Sequence, residues 1–379
     1  MFLIFFSVVI VVYSSINYYI YRHLLPIFNN NPLVKNIYLA TFIVLASSYF
    51  FYRIFDKIHS TPFVKIFGQI GSIWLIIMVY ALFILISFDV FYLIFKYCLP
   101  TVFKSISSIY VIKYILPILF LMIITVLTLI GIKNAKPAKV KEITIKSSAY
   151  KKLNRPYKIA YASDLHINDL FFPDAVKYLV DIVNKNDVDF MLLGGDVFTE
   201  DVSHLSYHDS GGLLKSINTK YGVYTVFGNH EYIGSIESAI NHFNKYNIKI
   251  LNDNSVTIND EIIVVGRDDI VSENMNKKKR ASIKELLTPQ SDSMFTILID
   301  HQPKSFAEGK GLPIDLYLSG HTHHGQMFPF SLITKKVFDN SWGLIKREDS
   351  YYYVSCGYGF WGPPARIGSH SELVIFTIE

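Results

Sequence analysis

Hydrophobic residues are concentrated in the first 132 of the 379 residues, where long apolar stretches alternate with short charged loops. Four stretches carry no charged side chain, namely Met1 to Ile20, Asn36 to Tyr52, Ile66 to Phe88 and Tyr114 to Ile132. Crossing about 30 Å of hydrocarbon takes roughly 20 apolar residues. The pattern therefore predicts four transmembrane helices, of which the second is the shortest and is interrupted by Ser47 and Ser48.

The first apolar stretch lacks the basic start and the small-residue cleavage site of a signal peptide, so we expect an uncleaved span. Basic residues in short loops predict the orientation of the spans. One side carries seven of them, Arg53, Lys57, Lys65, Lys133, Lys136, Lys139 and Lys141. The other side carries five, Arg22, Lys35, Lys96, Lys104 and Lys113. The excess favours a multi-pass protein of the cell membrane whose C-terminal part is cytoplasmic.

The formal net charge of +5 is modest, and much of the basic excess follows the fourth apolar stretch. There it can face anionic lipid headgroups, so we expect membrane lipids as partners and no nucleic acid. The two cysteines, Cys98 and Cys356, are too few and too far apart for a disulfide framework.

Beyond the apolar region the pattern changes to short β-branched or aromatic runs that alternate with helical patterns. The strand-like runs are Lys158 to Ala162, Phe190 to Leu193, Tyr224 to Phe227, Ile262 to Val265, Phe295 to Ile299, Leu316 to Leu318, Tyr351 to Ser355 and Leu373 to Ile378. This alternation predicts an α/β domain over residues 154–379. A basic linker over 133–153 and a transmembrane anchor over 1–132 precede it.

Residue types that bind metal ions follow five of the strand-like runs directly. They are Asp164 and His166, then Asp196, then Asn229 with His230 and Glu231, then Asp300 with His301, and finally His321 with His323. Because ligands in α/β sheets gather beyond the carboxyl ends of the strands, we expect these five ends to converge on one site.

In this order, the motifs Asp-x-His, Gly-Asp, Gly-Asn-His-Glu, His and Gly-His-x-His resemble the calcineurin-like metallophosphoesterase superfamily. The resemblance covers about Lys158 to Glu379 and implies a four-layer α-β-β-α sandwich. A further set of residues is similar to the branch of membrane-associated bacterial phosphodiesterases related to the UDP-2,3-diacylglucosamine hydrolases. This set is Gly357, Gly359, Gly362, Pro364, Arg366 and Glu372.

The resemblance also implies two divalent metal ions. One would be held by Asp164, His166, Asp196 and His323, and the other by Asp196, Asn229, His301 and His321. Asp196 would bridge the two ions, as the clamp of a two-metal phosphoryl-transfer site requires. The two carboxylates leave a net charge of about +2 on the loaded site, which suits an anionic phosphoryl group. Oxygen and imidazole ligands without a thiolate suit Mn, Fe or Zn.

His230 follows the predicted ligand Asn229, and the resemblance assigns it a catalytic role beside the metals. A protonated imidazole there would stabilise developing charge or protonate the leaving oxygen. The expected reaction is hydrolysis of a phosphoester by metal-bound hydroxide. A phosphodiester or pyrophosphate in a lipid or nucleotide-lipid is the preferred substrate class, because the anchor holds the site near a bilayer. Two other interpretations stay open, a catalytically weak metal-binding scaffold or sensor and a regulatory domain of a membrane transporter.

Some polar and aromatic residues near these motifs carry separate expectations. We expect His324 to face solvent rather than to narrow the site, and Arg267 to form a surface salt bridge rather than to touch a substrate phosphate. Arg366, among glycines, either shapes the mouth of the site or stabilises a turn. The aromatic residues Tyr351 to Tyr353, Phe360 and Trp361 either form a lipid-facing rim or pack in the core.

Overall fold

The computed structural model describes residues 2–28, 31–101, 115–137, 139–147, 151, 153–168, 170–199, 210–276 and 279–379. The chain divides into two compact units. One comprises Met1–Gly131 with Gly362–Pro364, and the other comprises Ile132–Trp361 with Ala365–Glu379. All of the described strands lie in the second unit.

Four long helices begin in the N-terminal unit. They are α1 (Phe2–Phe28), α2 (Pro32–Phe55), α3 (Pro62–Cys98) and α4 (Leu116–Ala135). Among the described residues, α2, α3 and α4 are long and apolar enough to cross a membrane. The structure therefore supports three candidate spans, and the crossing of a membrane by α1 stays a prediction. Tyr114, Lys104 and Lys113, which entered the expected topology, lie outside the described residues.

The two serines in α2 do not interrupt the helix. Ser47 Oγ donates to the carbonyl oxygen of Ile43 at 2.8 Å, and Ser48 Oγ donates to that of Val44 at 2.5 Å. Both hydroxyls are thereby satisfied within their own helix, as an apolar environment requires. At Gly71 of α3, a Cβ atom would lie 2.3 Å from the backbone nitrogen of Tyr49, so glycine lets α2 and α3 pack closely there.

The C-terminal unit contains two six-stranded sheets. Its strands are β1 (Lys139–Ile145), β2 (Tyr157–Ala162), β3 (Phe190–Leu193), β4 (Val223–Thr225), β5 (Ile248–Ile250), β6 (Asn254–Ile258), β7 (Ile262–Gly266), β8 (Phe295–Ile299), β9 (Leu316–Ser319), β10 (Gly343–Arg347), β11 (Ser350–Val354) and β12 (Glu372–Ile378). The spatial order is β1-β12-β2-β3-β4-β5 in the first sheet and β10-β11-β9-β8-β7-β6 in the second.

Most neighbouring strands are parallel, which is the arrangement that the alternating pattern predicts. Strands β2, β3, β4 and β5 run parallel, as do β7, β8, β9 and β11. The antiparallel pairs are β12 with β2, β6 with β7, and β10 with β11. The parallel strands therefore end at the same edge of each sheet.

The predicted linker over 133–153 contains a strand of the first sheet. Strand β1 pairs in parallel with β12, from Lys139 opposite Glu372 to Ile145 opposite Ile378. Four of its seven residues are polar, namely Lys139, Lys141, Glu142 and Thr144, and such a polar edge strand is easily mistaken for a linker.

Helices connect and cover the strands. They are α5 (Ala175–Lys185), α6 (Ser210–Leu214), α7 (Asn229–Ile233), α8 (Ile236–Lys245), α9 (Val271–Asn276), α10 (Ile283–Leu286) and α11 (Phe330–Val337). Helix α8 starts with a side-chain cap, since Ser235 Oγ accepts from the backbone N–H of Ser238 at 3.2 Å.

Alternate residues of the central strands supply separate cores. Along β2, Ile159 and Tyr161 join a core shared with β8 and β9 of the second sheet, whereas Ala160 and Ala162 join one shared with α5 and α8. A third core, around Tyr317, covers the other face of the second sheet. The period of two along a strand thus places both sheets face to face and buries their outer surfaces as well.

Candidate metal centre

The side chains predicted as metal ligands stand on turns that follow β2, β3, β8 and β9, and at Asn229, the first residue of α7 after β4. Several of these turns contain backbone in the left-handed region, which residues other than glycine adopt rarely. The residues with positive φ are Asp164 (54°), His166 (44°), Asp196 (50°), His321 (66°) and His323 (44°). Strain concentrated in this way is typical of functional sites.

These turns bring six of the seven predicted ligands into clusters whose ligand atoms lie within 4.8 Å of one another. Asp164, His166 and His323 form one cluster, and Asp196, His301 and His321 form another. A third cluster joins His166 and Asp196 to His230. His230 is therefore near enough to act as a ligand.

The Asp196 carboxylate lies between imidazoles of both clusters. Its Oδ2 atom is 3.1 Å from His301 Nε2 and 3.9 Å from His166 Nε2. Its Oδ1 atom accepts from the backbone N–H of His230 at 2.8 Å. One carboxylate oxygen is thus shared by two groups of ligands, which is the position that a bridging ligand needs.

The hydrogen bond on the far side of His301 determines its tautomer. His301 Nδ1 lies 2.7 Å from the carbonyl oxygen of Gly194, which can only accept, so Nδ1 carries the proton. In the neutral ring Nε2 then directs a lone pair towards the Asp196 carboxylate, and Nε2 makes no hydrogen bond. A proton or a metal ion between these two atoms would remove the repulsion, so the pair fits a cation.

Two further observations fit metal ions. The Nε2 atoms of His166 and His323 lie 3.1 Å apart, and two nitrogens that share one zinc-like ion are expected about 2.9–3.4 Å apart. The buried Oδ1 atom of Asn229 has no hydrogen-bond partner in the structure. Buried polar atoms without partners are rare, and a cation would satisfy this one.

Burial and neighbouring charges shift the pKa values of the predicted ligands in different directions. Burial lowers the pKa of both His166 and His321 to about 3, which leaves them in the form that binds metal. Burial raises the pKa of Asp164 to about 6, against the opposing effect of His301. Burial also lowers the pKa of His301, but the Asp196 carboxylate outweighs it and shifts that pKa upward.

Glycines let the ligand turns approach one another. A Cβ atom on Gly228 would lie 2.2 Å from Asp196 Oδ1, and one on Gly320 would lie 1.8 Å from Ser163 Oγ and 2.2 Å from Asp164 Oδ2. Since Gly320 follows β9 and Ser163 follows β2, the second contact joins the ends of the two sheets.

Glu231 is a positioning residue to which the sequence analysis assigned no role. Its buried carboxylate accepts from four backbone N–H groups, those of Asp196 (3.0 Å), Val197 (2.8 Å), Phe198 (3.2 Å) and Gly228 (2.7 Å). It therefore joins the turn after β3 to the turn after β4. Glu231 stands three residues after the N-cap residue Gly228 and accepts from its backbone N–H, which is the glutamate half of a capping box, and this spacing could have indicated the role.

His230 is half-buried at the same site. Its Nδ1 lies 3.0 Å from the carbonyl oxygen of Thr199, so Nδ1 donates and Nε2 is left for another partner. Its ring lies edge-on to that of His166, with 4.7 Å between the centroids. Trp361, which is 58% exposed, lies with its ring centroid 6.4 Å from that of His230.

Arg366 is fully buried. Its Nη2 atom donates to the carbonyl oxygens of Gly357 and Gly359 and lies 3.2 Å from Nδ1 of His323. Of the two expectations for Arg366, stabilisation of a turn agrees better with these contacts than shaping of the site mouth. The turn it stabilises lies against a predicted metal ligand.

Two expectations about neighbouring residues are wrong. His324 is buried rather than solvent-facing, because a left-handed backbone (φ 50°) turns its ring towards Trp342, 5.2 Å away, and Nδ1 lies 3.0 Å from Ser341 Oγ. Arg267 makes a buried ion pair, with Nη1 3.3 Å from Asp300 Oδ2, instead of only a surface pair. Both residues find partners that are remote in sequence.

The site geometry agrees with comparisons to known proteins. The family model for calcineurin-like phosphoesterases matches residues 157–325, which contain all of the predicted ligands. The chain contains a calcineurin-like metallophosphoesterase domain. This domain is typical of metal-dependent phosphoric ester hydrolases, and its match confirms the predicted superfamily.

Relatives of the metallophosphoesterase domain occur in bacteria and animals. A Helicobacter pylori protein named an uncharacterized metallophosphoesterase is 34% identical over 246 residues, 64% of each chain. A Campylobacter jejuni metallophosphoesterase is 29% identical over 387 residues, covering 100% of this chain and 99% of its own. A Bos taurus protein named a transmembrane protein with metallophosphoesterase domain is 28% identical over 278 residues, 69% of this chain and 62% of its own. The match thus spans just under two thirds of the Helicobacter pylori relative.

Replacing the shared carboxylate should affect both metal positions. Asp196→Ala is expected to retain neither metal ion and to show no measurable turnover, because each cluster loses a ligand and two cations would face each other without a bridge. Elemental analysis of the purified chain measures this directly. Asp181→Ala, at an exposed position on α5, is the matched control and should keep its metals. Two retained ions per Asp196→Ala chain would contradict a bridging role.

Replacing Glu231 separates positioning from ligation. Glu231→Gln keeps the size of the side chain but directs an amide N–H₂ group at backbone donors, which should destabilise the fold by about 2–3 kcal/mol. We expect a lower thermal midpoint and weaker metal retention, whereas the exposed Glu237→Gln should change neither. An unchanged thermal midpoint would show that the four hydrogen bonds do not hold the turns together.

Proposed function

We propose that this chain is a membrane-anchored, dinuclear metal-dependent phosphoesterase whose catalytic unit is a four-layer α-β-β-α sandwich. The observation that carries the proposal is the position of Asp196 Oδ2, close to His301 of one cluster and to His166 of the other. A single metal site would not require one carboxylate oxygen to face two groups of imidazoles.

Within this proposal each cluster holds one divalent ion, Mn, Fe or Zn. Asp164, His166 and His323 hold the first ion, while Asn229, His301 and His321 hold the second, and Asp196 contacts both. The bound ions would supply Lewis-acid activation of water and neutralise charge on the phosphoryl group. The chain itself supplies rigid ligand turns, so little reorganisation is needed when substrate binds.

His230 acts on the substrate in this proposal, through Nε2. The carbonyl oxygen of Thr199 accepts from Nδ1 and so fixes the orientation of the ring. A protonated ring can then donate from Nε2 to a phosphoryl oxygen or to the leaving oxygen, a contribution that is typically about 100- to 10,000-fold in rate. Asn229, the preceding residue, has an unpartnered amide oxygen instead, which suits a ligand.

The preferred substrate is a phosphodiester or pyrophosphate in a lipid or nucleotide-lipid, as in the branch related to the UDP-2,3-diacylglucosamine hydrolases. Three apolar helices of membrane-spanning length support an anchor, and the Bos taurus relative is named a transmembrane protein. An exposed aromatic ring beside His230, that of Trp361, offers an apolar surface at the site for a sugar, a base or an acyl group.

The catalytic unit is proposed to be cytoplasmic, and this orientation does not depend on whether α1 crosses the membrane. With three spans or with four, the seven basic residues that include Lys133 remain on the side of the catalytic unit. Only the location of the N-terminal segment changes. The positive-inside rule therefore gives the same orientation in both cases.

Protease protection tests the orientation. Protease added to intact cells should spare the catalytic unit, and permeabilised cells should lose it. Exposed Lys146 is a suitable cleavage site beyond the last apolar helix. Cleavage there without permeabilisation would place the catalytic unit outside.

Leaving-group chemistry tests the distinct roles of His230 and Asn229. His230→Ala should keep both metals and lose kcat mainly on substrates with poor alkoxide leaving groups, by about 100-fold or more, with a smaller loss on nitrophenolates. Asn229→Ala should lose one metal, and added metal should partly restore its activity on both substrate types.

Metal content, kcat and KM are measured for both variants on substrates with good and with poor leaving groups. Equal losses of His230→Ala on good and poor leaving groups would remove the general-acid role. Full rescue of His230→Ala by added metal would instead make it a ligand, as its proximity to His166 and Asp196 allows.

A further inference from the structure

A polar groove of about 590 Å³ lies in the C-terminal unit, lined by none of the predicted metal ligands. Its walls include Lys133, Asn134, Lys136, Tyr178, Ser369 and His370. No described residue that lines it carries a carboxylate. The volume lies within the range of about 300–1,000 Å³ that is usual for small-molecule sites.

The two lysines of the groove lack internal counter-ions. Both side chains are exposed, and no salt bridge in the described part of the chain involves Lys133 or Lys136. Two ammonium groups therefore face a concave surface without neutralisation. Such a groove favours an anion that accepts several hydrogen bonds.

Backbone and side-chain hydrogen bonds hold the groove walls together. Asn134 Nδ2 donates to the carbonyl oxygen of Arg366 at 3.2 Å, and the backbone N–H of Ser371 donates to the carbonyl oxygen of Asn134 at 3.1 Å. Ser369 Oγ accepts from Arg366 Nη1 at 3.3 Å. The walls are therefore ordered around Arg366, whose other guanidinium nitrogen lies beside His323.

We propose that this groove binds the phosphate headgroup of an anionic membrane lipid. Lys133 is the first charged residue after the uncharged run from Leu116 to Ile132 in α4, a candidate span. In an anchored chain both lysines then lie at the level of the headgroups, where cationic side chains attract anionic lipid. This inference rests on the membrane anchor of the proposed function and not on its chemistry.

Native mass spectrometry of the full-length protein in detergent tests the proposal, with phosphatidylglycerol and phosphatidylcholine as probes. The wild type should bind phosphatidylglycerol more tightly than phosphatidylcholine. Lys133→Gln/Lys136→Gln should weaken that binding about 25-fold, because each lysine contributes a factor of about five. Phosphatidylcholine binding should not change.

Two variants serve as controls. Lys335→Gln/Lys336→Gln removes the same charge from exposed positions on α11 and should bind lipid like the wild type. Lys133→Arg/Lys136→Arg should keep binding, since both charges remain. Unchanged thermal midpoints and metal contents check that every variant is folded, whether or not the protein hydrolyses phosphoesters.

Three outcomes would overturn the proposal: undiminished phosphatidylglycerol binding by Lys133→Gln/Lys136→Gln, an equal loss in the α11 variant, or equal affinity of the wild type for both lipids. The last experiment adds inorganic phosphate to the lipid-bound protein. Displacement of the lipid by millimolar phosphate would show that phosphate from either source is recognised. Resistance to displacement would identify the intact lipid as the ligand.

Discussion

The placement of one buried carboxylate constrains most of the catalytic unit. Asp196 is only 2% exposed, and a charge at that depth needs a cation or several donors beside it. One of its oxygens has a backbone N–H partner and the other faces imidazoles. The turns that carry those imidazoles come from both sheets. The fold must therefore hold the ends of strands from separate sheets within a few ångströms of Asp196.

The structure meets this constraint with short contacts between turns rather than with a large pocket. Glu231 ties two turns of the first sheet through backbone hydrogen bonds, and Gly320 lets the end of the second sheet touch Asp164. Left-handed backbone at the ligands adds strain, of order 1–3 kcal/mol for each such residue. Bound cations would offset that strain, so loading with metal should also stabilise the contact between the sheets.

The sequence predicted those features that depend on local pattern. The runs Phe190–Leu193 and Phe295–Ile299 end where the strands end, and the ordered motifs after them named the side chains that converge. It did not predict features that depend on partners remote in the chain. Arg267 and the neighbouring aspartates had the composition of a surface, and only the fold shows that Asp300 approaches from another strand.

The expectation for His324 was wrong because of the left-handed backbone at that residue. His324 follows a predicted ligand, and whether its ring points outward or inward depends on a φ angle that no spacing of polar residues reveals. Strand β1 escaped prediction for a related reason, because a run in which four of seven residues are polar indicates an edge strand only once β12 is known to lie beside it. In both cases the missing information was three-dimensional.

The position of β12 also affects how the catalytic unit can fold. This strand lies between β1 and β2, yet Glu372–Ile378 follows both of them by some two hundred residues in the sequence. Pairings of such long range close late, because the loop entropy is lost before the contacts form. Until β12 arrives, β1 and β2 each present an unpaired edge. Unpaired strand edges readily pair with other chains, so protection from aggregation matters most before β12 has been made.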